Sequence, residues 1–346
     1  MKQSDFRRTV IIIVLTAAAM WVLLYAPTPY VVFEPGVAVP VKPMVTIEEG
    51  DSLGKGDFLL TAVKLTKPNF LRAIQSVWIT NMDVHLKKDV LRGYSEEQYA
   101  ERLNVIMHGS QNNAVEAAYR YAGLPYVKEA QSIMVSDVRT DGATPFKPGD
   151  TLLGLSGGKR FNSIAAVVET LKAVVQNKDI AFDIERNGEG QSVTVPGETF
   201  GSSLTAAQLP EALGVIGLTE LRSLEPGDSR NRLKIEAGDI GGPSAGLVFA
   251  LHALDLLTPG DLSGGHRIAA TGTITVDGKV GAIGGIKQKI VIASEEGAQL
   301  FLVPAANFEE AQAKVNALGS SMRVVRVDTL QEAMDAIAKF NKNDAK

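Results

Sequence analysis

From Thr9 to Ala26 the chain carries no charged residue, a length close to the roughly 20 residues that cross a bilayer as a helix. Lys2, Arg7 and Arg8 precede the run, and Trp21 and Tyr25 lie towards its far end. Basic flanks stay on the cytoplasmic side, so the rest of the chain is expected outside. A cleaved leader is the competing reading. Its apolar core is usually only about 7–15 residues long, and Leu24-Tyr25-Ala26 before Pro27 is a poor small-residue cleavage site. A single-pass anchor over 9–26, behind a cytoplasmic tail over 1–8, is the expectation.

Beyond Pro27 the pattern becomes that of a globular protein. Tyr30 to Phe33 and Val37 to Val41, separated by prolines, predict two short strands, and Asp57 to Leu65 alternates as a third. Asn69 to Trp78 has helical spacing. Ser95-Glu96-Glu97-Gln98 is a helix start leading into Tyr99 to His108, and Ser110 to Tyr121, closed by Gly123, predicts a further helix. From Val127 the texture changes. Ser132 to Val138 reads as a strand, the turn residues from Asp141 through Ala143 to Asp150 lead into Thr151-Leu152-Leu153, Ser163 to Val175 is amphipathic, and Ile180 to Gly188 begins a hairpin.

After Pro196, strands are expected at Leu213 to Leu218 and Leu233 to Glu236. A glycine-rich turn, Gly241-Gly242-Pro243-Ser244-Ala245-Gly246, then opens an apolar helix through Leu251. Ile268 to Val276 and Val280 to Ile283 flank Asp277-Gly278-Lys279 as a hairpin-like pair. Leu300 to Pro304, Phe308 to Ala317, Arg323 to Val327 and Leu330 to Phe340 alternate strand and helix. The fold class is mixed α and β, in more than one domain.

Composition removes several chemistries. A net charge of −4 over 346 residues gives no electrostatic case for nucleic acid. Zero cysteines exclude disulfides, Cys-zinc sites and thiol nucleophiles. No G-x-x-x-x-G-K-[ST] loop occurs, and no cofactor or metal is expected.

What remains is serine chemistry. A hydroxyl attacks well only when a neighbouring base takes its proton. Ser244 sits where glycines allow close backbone approach and a helix N-terminus offers free amides to an oxyanion. Gly242, Pro243 and Ala245 frame that turn. Lysine can be the base if burial disfavours its ammonium form. Gly284-Gly285-Ile286-Lys287-Gln288-Lys289 places two lysines at the start of a helix walled by Ile286, Ile290, Val291 and Ile292. Side chains two apart face different ways, so only one can reach the serine. Gly242 to Gly246 also fits the G-x-S-x-G elbow of α/β-hydrolases, which would need Asp255 or Asp261 with His266.

The order of Ile240-Gly241-Gly242-Pro243-Ser244-Ala245-Gly246, Thr271-Gly272-Thr273-Ile274-Thr275 and Gly284 to Lys289 resembles the proteolytic domain of the Lon family, in its membrane-anchored, PDZ-containing branch. Gly241 departs from Lon proteases proper, which often carry aspartate there. The resemblance implies that Lys289, the second lysine of the motif, is the base, with Lys287 the near miss. It also implies that Thr271 hydrogen-bonds that lysine. Lys147-Pro148-Gly149-Asp150-Thr151-Leu152-Leu153 and Asp183 to Gly188 resemble a PDZ domain, expected over 126–197 and inserted between Lon-like segments over 27–125 and 198–346. PDZ domains bind extended peptides by adding a strand.

The implied function is an ATP-independent serine endopeptidase on the outer face of a bacterial cytoplasmic membrane. It would act on flexible peptide or protein substrates recruited through the PDZ groove, and homo-oligomerisation is an expectation from the family. The rival of a different class is a non-catalytic PDZ scaffold of the cell envelope.

Overall fold

The computed structural model describes residues 3–49, 54–142, 144–173, 178–197, 200–238 and 240–344. Lys2 of the basic flank, Ala143 of the expected turn, and Val174 and Val175 at the end of the expected helix lie outside the described residues. In chain order, α1 (Gln3–Tyr25) is followed by β1 (Tyr30–Pro40), β2 (Val45–Ile47), β3 (Asp57–Thr66), α2 (Phe70–Trp78), β4 (Asp83–Leu86), α3 (Lys87–Leu91) and α4 (Glu96–Tyr121). Then come β5 (Tyr126–Val138), β6 (Thr151–Leu155), α5 (Ile164–Lys172), β7 (Ile180–Arg186), β8 (Glu189–Val195), α6 (Leu209–Ala212) and β9 (Val215–Pro226). The last part comprises β10 (Leu233–Ile235), α7 (Gly246–Leu257), β11 (Arg267–Ala270), β12 (Thr273–Ile274), β13 (Val280–Gly281), α8 (Ile286–Glu295), β14 (Leu300–Pro304), α9 (Phe308–Leu318), β15 (Arg323–Val327) and α10 (Leu330–Asp344).

A six-stranded sheet ordered β15-β14-β11-β3-β1-β4 forms the larger body. Its first four strands run parallel, while β1 and β4 join antiparallel. Side chains alternate across a strand, so each strand supplies two cores. Phe58, Leu60, Ile268, Ala270, Leu300 and Leu302 point to the face covered by α4, α7 and α10. Leu59, Ala269, Phe301 and Val303 point to the face covered by α8 and α9. Burial on both faces explains why these strands read as continuous apolar runs.

Several elements differ from the sequence expectation for physical reasons. The two short strands before Val41 are one strand, because an irregularity between Pro35 and Val37 accommodates the prolines without ending the pairing to β3. The two helices expected around Gly109 are one, α4, opened by a capping box at Ser95 and Gln98. Gly109 permits close packing there, since a Cβ at that position would lie 2.9 Å from Thr219 Cγ2. The hairpin expected from Ile268 onwards is divided, with β11 in the large sheet and only the short β12–β13 pair beyond Gly272.

A second sheet, ordered β8-β7-β6-β5-β9, packs against α5 around Ile133, Val135, Leu152, Val167, Leu171, Phe182 and Ile184. This unit does not stop at 197. Of the strand expected at Leu213 to Leu218, Val215 onwards belongs to β9, while Leu213 caps α6; β9 pairs antiparallel with β5 along nearly its whole length. Asp150 and Arg186, one from each PDZ-like stretch, form a buried bidentate pair at 2.6 and 2.7 Å. The unit is fastened to α4 by Arg102–Asp137 at 2.7 Å and by Glu116, which faces Lys128 and Arg222 at 3.2 and 3.3 Å.

At the other end, Phe6–Tyr25 of α1 is long and apolar enough to cross a membrane, a property shared by signal sequences.

Candidate active site

Ser244 lies in a short 3-10 turn, Pro243–Ala245, at the head of α7. Two parts of the chain hold this turn, α4 and the Thr271–Gly272 segment after β11. Leu103 of α4 accepts the Gly242 amide at 3.0 Å, with Gly242 at φ +92°, a conformation glycine adopts without strain. Ser110 of α4 donates its hydroxyl to the Pro243 carbonyl at 3.1 Å. The Ser244 carbonyl accepts both the Gly272 amide at 2.9 Å and the Thr271 hydroxyl at 3.1 Å. Gly246 is required by packing, because a Cβ there would meet Ser110 Oγ at 2.7 Å and Ile274 Cγ2 at 2.8 Å.

Lys289 is delivered by the first turn of α8, whose start is set by Gly285 in the left-handed region at φ +69°. Its side chain is 2% exposed. Nζ donates to the Ser244 hydroxyl at 3.1 Å and to the Thr61 carbonyl at 2.5 Å. Taking an ammonium out of water without a countercharge disfavours the charged form. That burial brings the Lys289 pKa down from 10.5 to about 7. An amine that is substantially neutral near neutrality therefore stands in hydrogen-bond contact with an alcohol, the geometry needed for proton transfer.

The pair opens into a cavity of about 370 Å³ lined by Phe33, Leu60, Tyr99, Ile240 and Gly284 among others. Within it, Thr61, Ala62 and Val63 belong to the part of β3 beyond Leu59, where pairing with β11 has ended. This stretch of β3, with the Thr61 carbonyl taken by Lys289, lines the cavity beside Ser244.

The other site expectations separate clearly. Lys287 points away, 41% exposed, towards Glu310 at 3.3 Å and Asp83 at 3.9 Å. Thr271 is fully buried, but its hydroxyl bonds the Ser244 carbonyl and not Lys289. This corrects the contact implied by the family resemblance. Of the turn residues, Pro243 has no amide hydrogen and the Gly242 amide is occupied by Leu103. The Ala245 amide belongs to the i→i+3 bonding of the 3-10 turn itself, so none of that trio offers a free amide to an oxyanion.

The hydrolase-type triad is not assembled. His266 lies at the start of β11, bonded to Gln299 at 3.2 Å and packed on Phe340, while Ser244 is tied to Thr271 at that strand's other end. Asp255 accepts the Leu262 amide at 2.7 Å, and Asp261 accepts the Gly265 amide at 3.0 Å. Among the described residues, no group of three or more His, Asp or Glu is placed to hold a metal ion.

The residues that sequence reasoning missed act mostly through their backbone. The carbonyls of Thr61 and Leu103 carry no side-chain signal. Phe33, Leu60 and Tyr99 are indistinguishable in sequence from ordinary core positions.

Residues 234–339, which include Ser244, Thr271 and Lys289, match the Lon protease (S16) C-terminal proteolytic domain. Over 98 residues, 28% of this chain and 11% of the relative, it is 38% identical to the Lon protease of Mesomycoplasma hyopneumoniae (strain 232). Over 94 residues, 27% of this chain and 11% of the relative, it is 35% identical to the Lon protease of Campylobacter concisus (strain 13826). The peroxisomal Lon protease homolog 2 of Caenorhabditis briggsae is 33% identical over 117 residues, 34% of this chain and 15% of the relative. The aligned part thus spans 11–15% of the length of these curated relatives.

Proposed function

We propose that this chain is a membrane-anchored, ATP-independent serine endopeptidase in which Ser244 is the nucleophile and Lys289 the general base. The observation that carries this reading is the 3.1 Å contact between Lys289 Nζ and Ser244 Oγ, at an amine buried inside an open-mouthed cavity. As Ser244 Oγ bonds to the substrate carbonyl carbon, neutral Lys289 takes the hydroxyl proton. The carbonyl oxygen gains the negative charge, which the backbone amide of Ser244 at the head of α7 stabilises. Collapse breaks the C–N bond, and Lys289 gives its proton to the leaving amine, leaving an acyl-enzyme. Water then attacks the ester, again passing a proton to Lys289, which returns it to Ser244.

Thr271 and Gly272 fix the carbonyl of Ser244 and so act as positioning residues. An extended peptide lies in the cavity beside Ser244, along β3 beyond the end of its pairing with β11. The sequence contains no phosphate-cradling loop, so substrates are taken to arrive already extended. The small five-stranded unit serves as a PDZ domain that recruits peptide, and α1 tethers the whole to the outer face of a bacterial cytoplasmic membrane.

The test is cleavage of an unstructured peptide by the full chain, without ATP, against Ser244→Ala and Lys289→Ala. Loss of turnover in both, with an intact fold by circular dichroism, is expected. Undiminished cleavage by either variant removes the proposed pair, and a well-folded parent with no activity favours a tethered scaffold.

A further inference from the structure

Helix α2 turns a row of large apolar side chains outwards. Ile74 is 54%, Val77 69% and Trp78 83% exposed, with Leu71 one turn earlier on the same side. Isolated exposed apolar residues are ordinary, but a contiguous stripe on a nine-residue helix is not. Nor is α2 a loose segment. Asn69 caps it by accepting the Arg72 amide at 2.7 Å, and Ala73 and Ser76 are buried on its inner side. Arg72 reaches Glu34 at 3.4 Å. Beyond its end, Lys314 of α9 donates to the Thr80 carbonyl at 3.0 Å and to Asn81 at 2.6 Å. The helix is held firmly with its apolar side facing away from the protein.

What adjoins the N-terminal end of α2 is the exit of α1. The Asn69 side chain donates to the Leu24 carbonyl at 3.1 Å, and Thr28 donates to the Pro68 carbonyl at 2.9 Å. The Lys87 amide donates to the Pro29 carbonyl at 2.7 Å. Trp21 and Tyr25, at this end of α1, are both exposed, as aromatic side chains are where a span meets the headgroups. The helix α2 therefore starts where α1 ends, with exposed apolar side chains on both.

We infer that α2 is an interfacial helix that lies on the lipid surface beside the exit of α1, with Leu71, Ile74, Val77 and Trp78 entering the headgroup–acyl boundary. This rests on the proposed membrane location of α1 and assigns α2 a role in orientation that no anchor alone supplies. A single span leaves a domain free to tumble about its tether. A second contact fixed to the same body sets which way the cavity faces. Thr61, the partner of Lys289, lies nine residues before Phe70 in the chain. The extended chain can cover at most about 3.3–3.6 Å per residue, so Thr61 stands within about 32 Å of the start of α2.

The chain's two tryptophans make the test internal. In phosphatidylcholine vesicles, full chain carrying Trp21→Phe reports α2 through Trp78, and full chain carrying Trp78→Phe reports α1 through Trp21. Both positions are exposed, so neither substitution touches the core. With lipids brominated near the headgroup end of the acyl chain, Trp78 emission should be blue-shifted and quenched, and resistant to aqueous acrylamide. Trp78 that acrylamide quenches and bromolipid does not would place α2 in water and overturn the inference. Trp78 shielded from both, with crosslinking between copies, would give the stripe to a second chain and also overturn it. Trp21 read in parallel separates the failures. Trp21 quenched without Trp78 leaves the anchor standing and sinks α2, whereas Trp78 quenched without Trp21 supports α2 and sinks the anchor.

Discussion

Replacing Lys289 by methionine should stabilise the fold at neutral pH while abolishing catalysis, and the gain should depend on pH in a defined way. Unfolded, the lysine holds its proton up to 10.5; folded, only up to about 7. Between those values the unfolded state binds more protons, so the lysine's contribution to stability rises with pH across this window. The penalty is fully present below pH 7 and is lost as pH climbs towards 10.5. At 1.36 kcal/mol per pKa unit it is about 4 kcal/mol at pH 7 and about 2 kcal/mol at pH 9.

Methionine has nearly the same length and no charge, so Lys289→Met removes this penalty. It also removes the bonds to Thr61 and Ser244, at a cost of about 1 kcal/mol each that does not vary with pH here. The diagnostic is therefore the slope. Equilibrium urea unfolding of the full chain in non-ionic detergent, followed by circular dichroism, should show the advantage of Lys289→Met falling by about 2 kcal/mol between pH 7 and pH 9. A difference that stays constant over that range would show that the amine keeps an ordinary pKa, and the base assignment would lose its physical footing.

Lys287→Ala should leave turnover nearly intact, since its ion pairs with Asp83 and Glu310 are exposed and worth at most about 1 kcal/mol; steady-state kinetics on the same peptide checks this. Asp150→Ala strands the Arg186 guanidinium against a buried site and should cost about 3–5 kcal/mol, read as earlier urea unfolding of the five-stranded unit. Gly285→Ala forces a side chain into the left-handed region at about 1–2 kcal/mol, 2.7 Å from Val63 Cγ2, and should lower kcat by displacing Lys289.

The sequence made the strands β3, β11 and β14, the helix after Ser244 and the two candidate lysines legible, because each carries its own apolar run, periodicity or motif. It did not reveal that β9 closes the small sheet, since strand pairing is a property of two distant segments and leaves no mark on either. Gly109 looked like a helix break because its use is tertiary, making room for Thr219. The choice between Lys287 and Lys289 needed either a family pattern or coordinates. Helical geometry says that only one can turn inward, not which. Thr271 shows where resemblance outran the fold: the residue is at the site, but its hydroxyl supports the nucleophile's backbone instead of the amine. The Thr61 carbonyl, which fixes the amine from its other side, belongs to the backbone and is invisible to any reading of side chains.

The most direct measurement is the pH dependence with which Ser244 itself is acylated. Full chain exposed to an activated ester, quenched over time and read by intact mass, gives the acylation rate, with Ser244→Ala as the blank. If the buried neutral amine of Lys289 is the base, the rate should climb with a single midpoint near 7, the value set by burial, and Lys289→Met should flatten the profile. A midpoint at the ordinary lysine value, or a profile unchanged by Lys289→Met, would contradict the claim that this amine activates this alcohol.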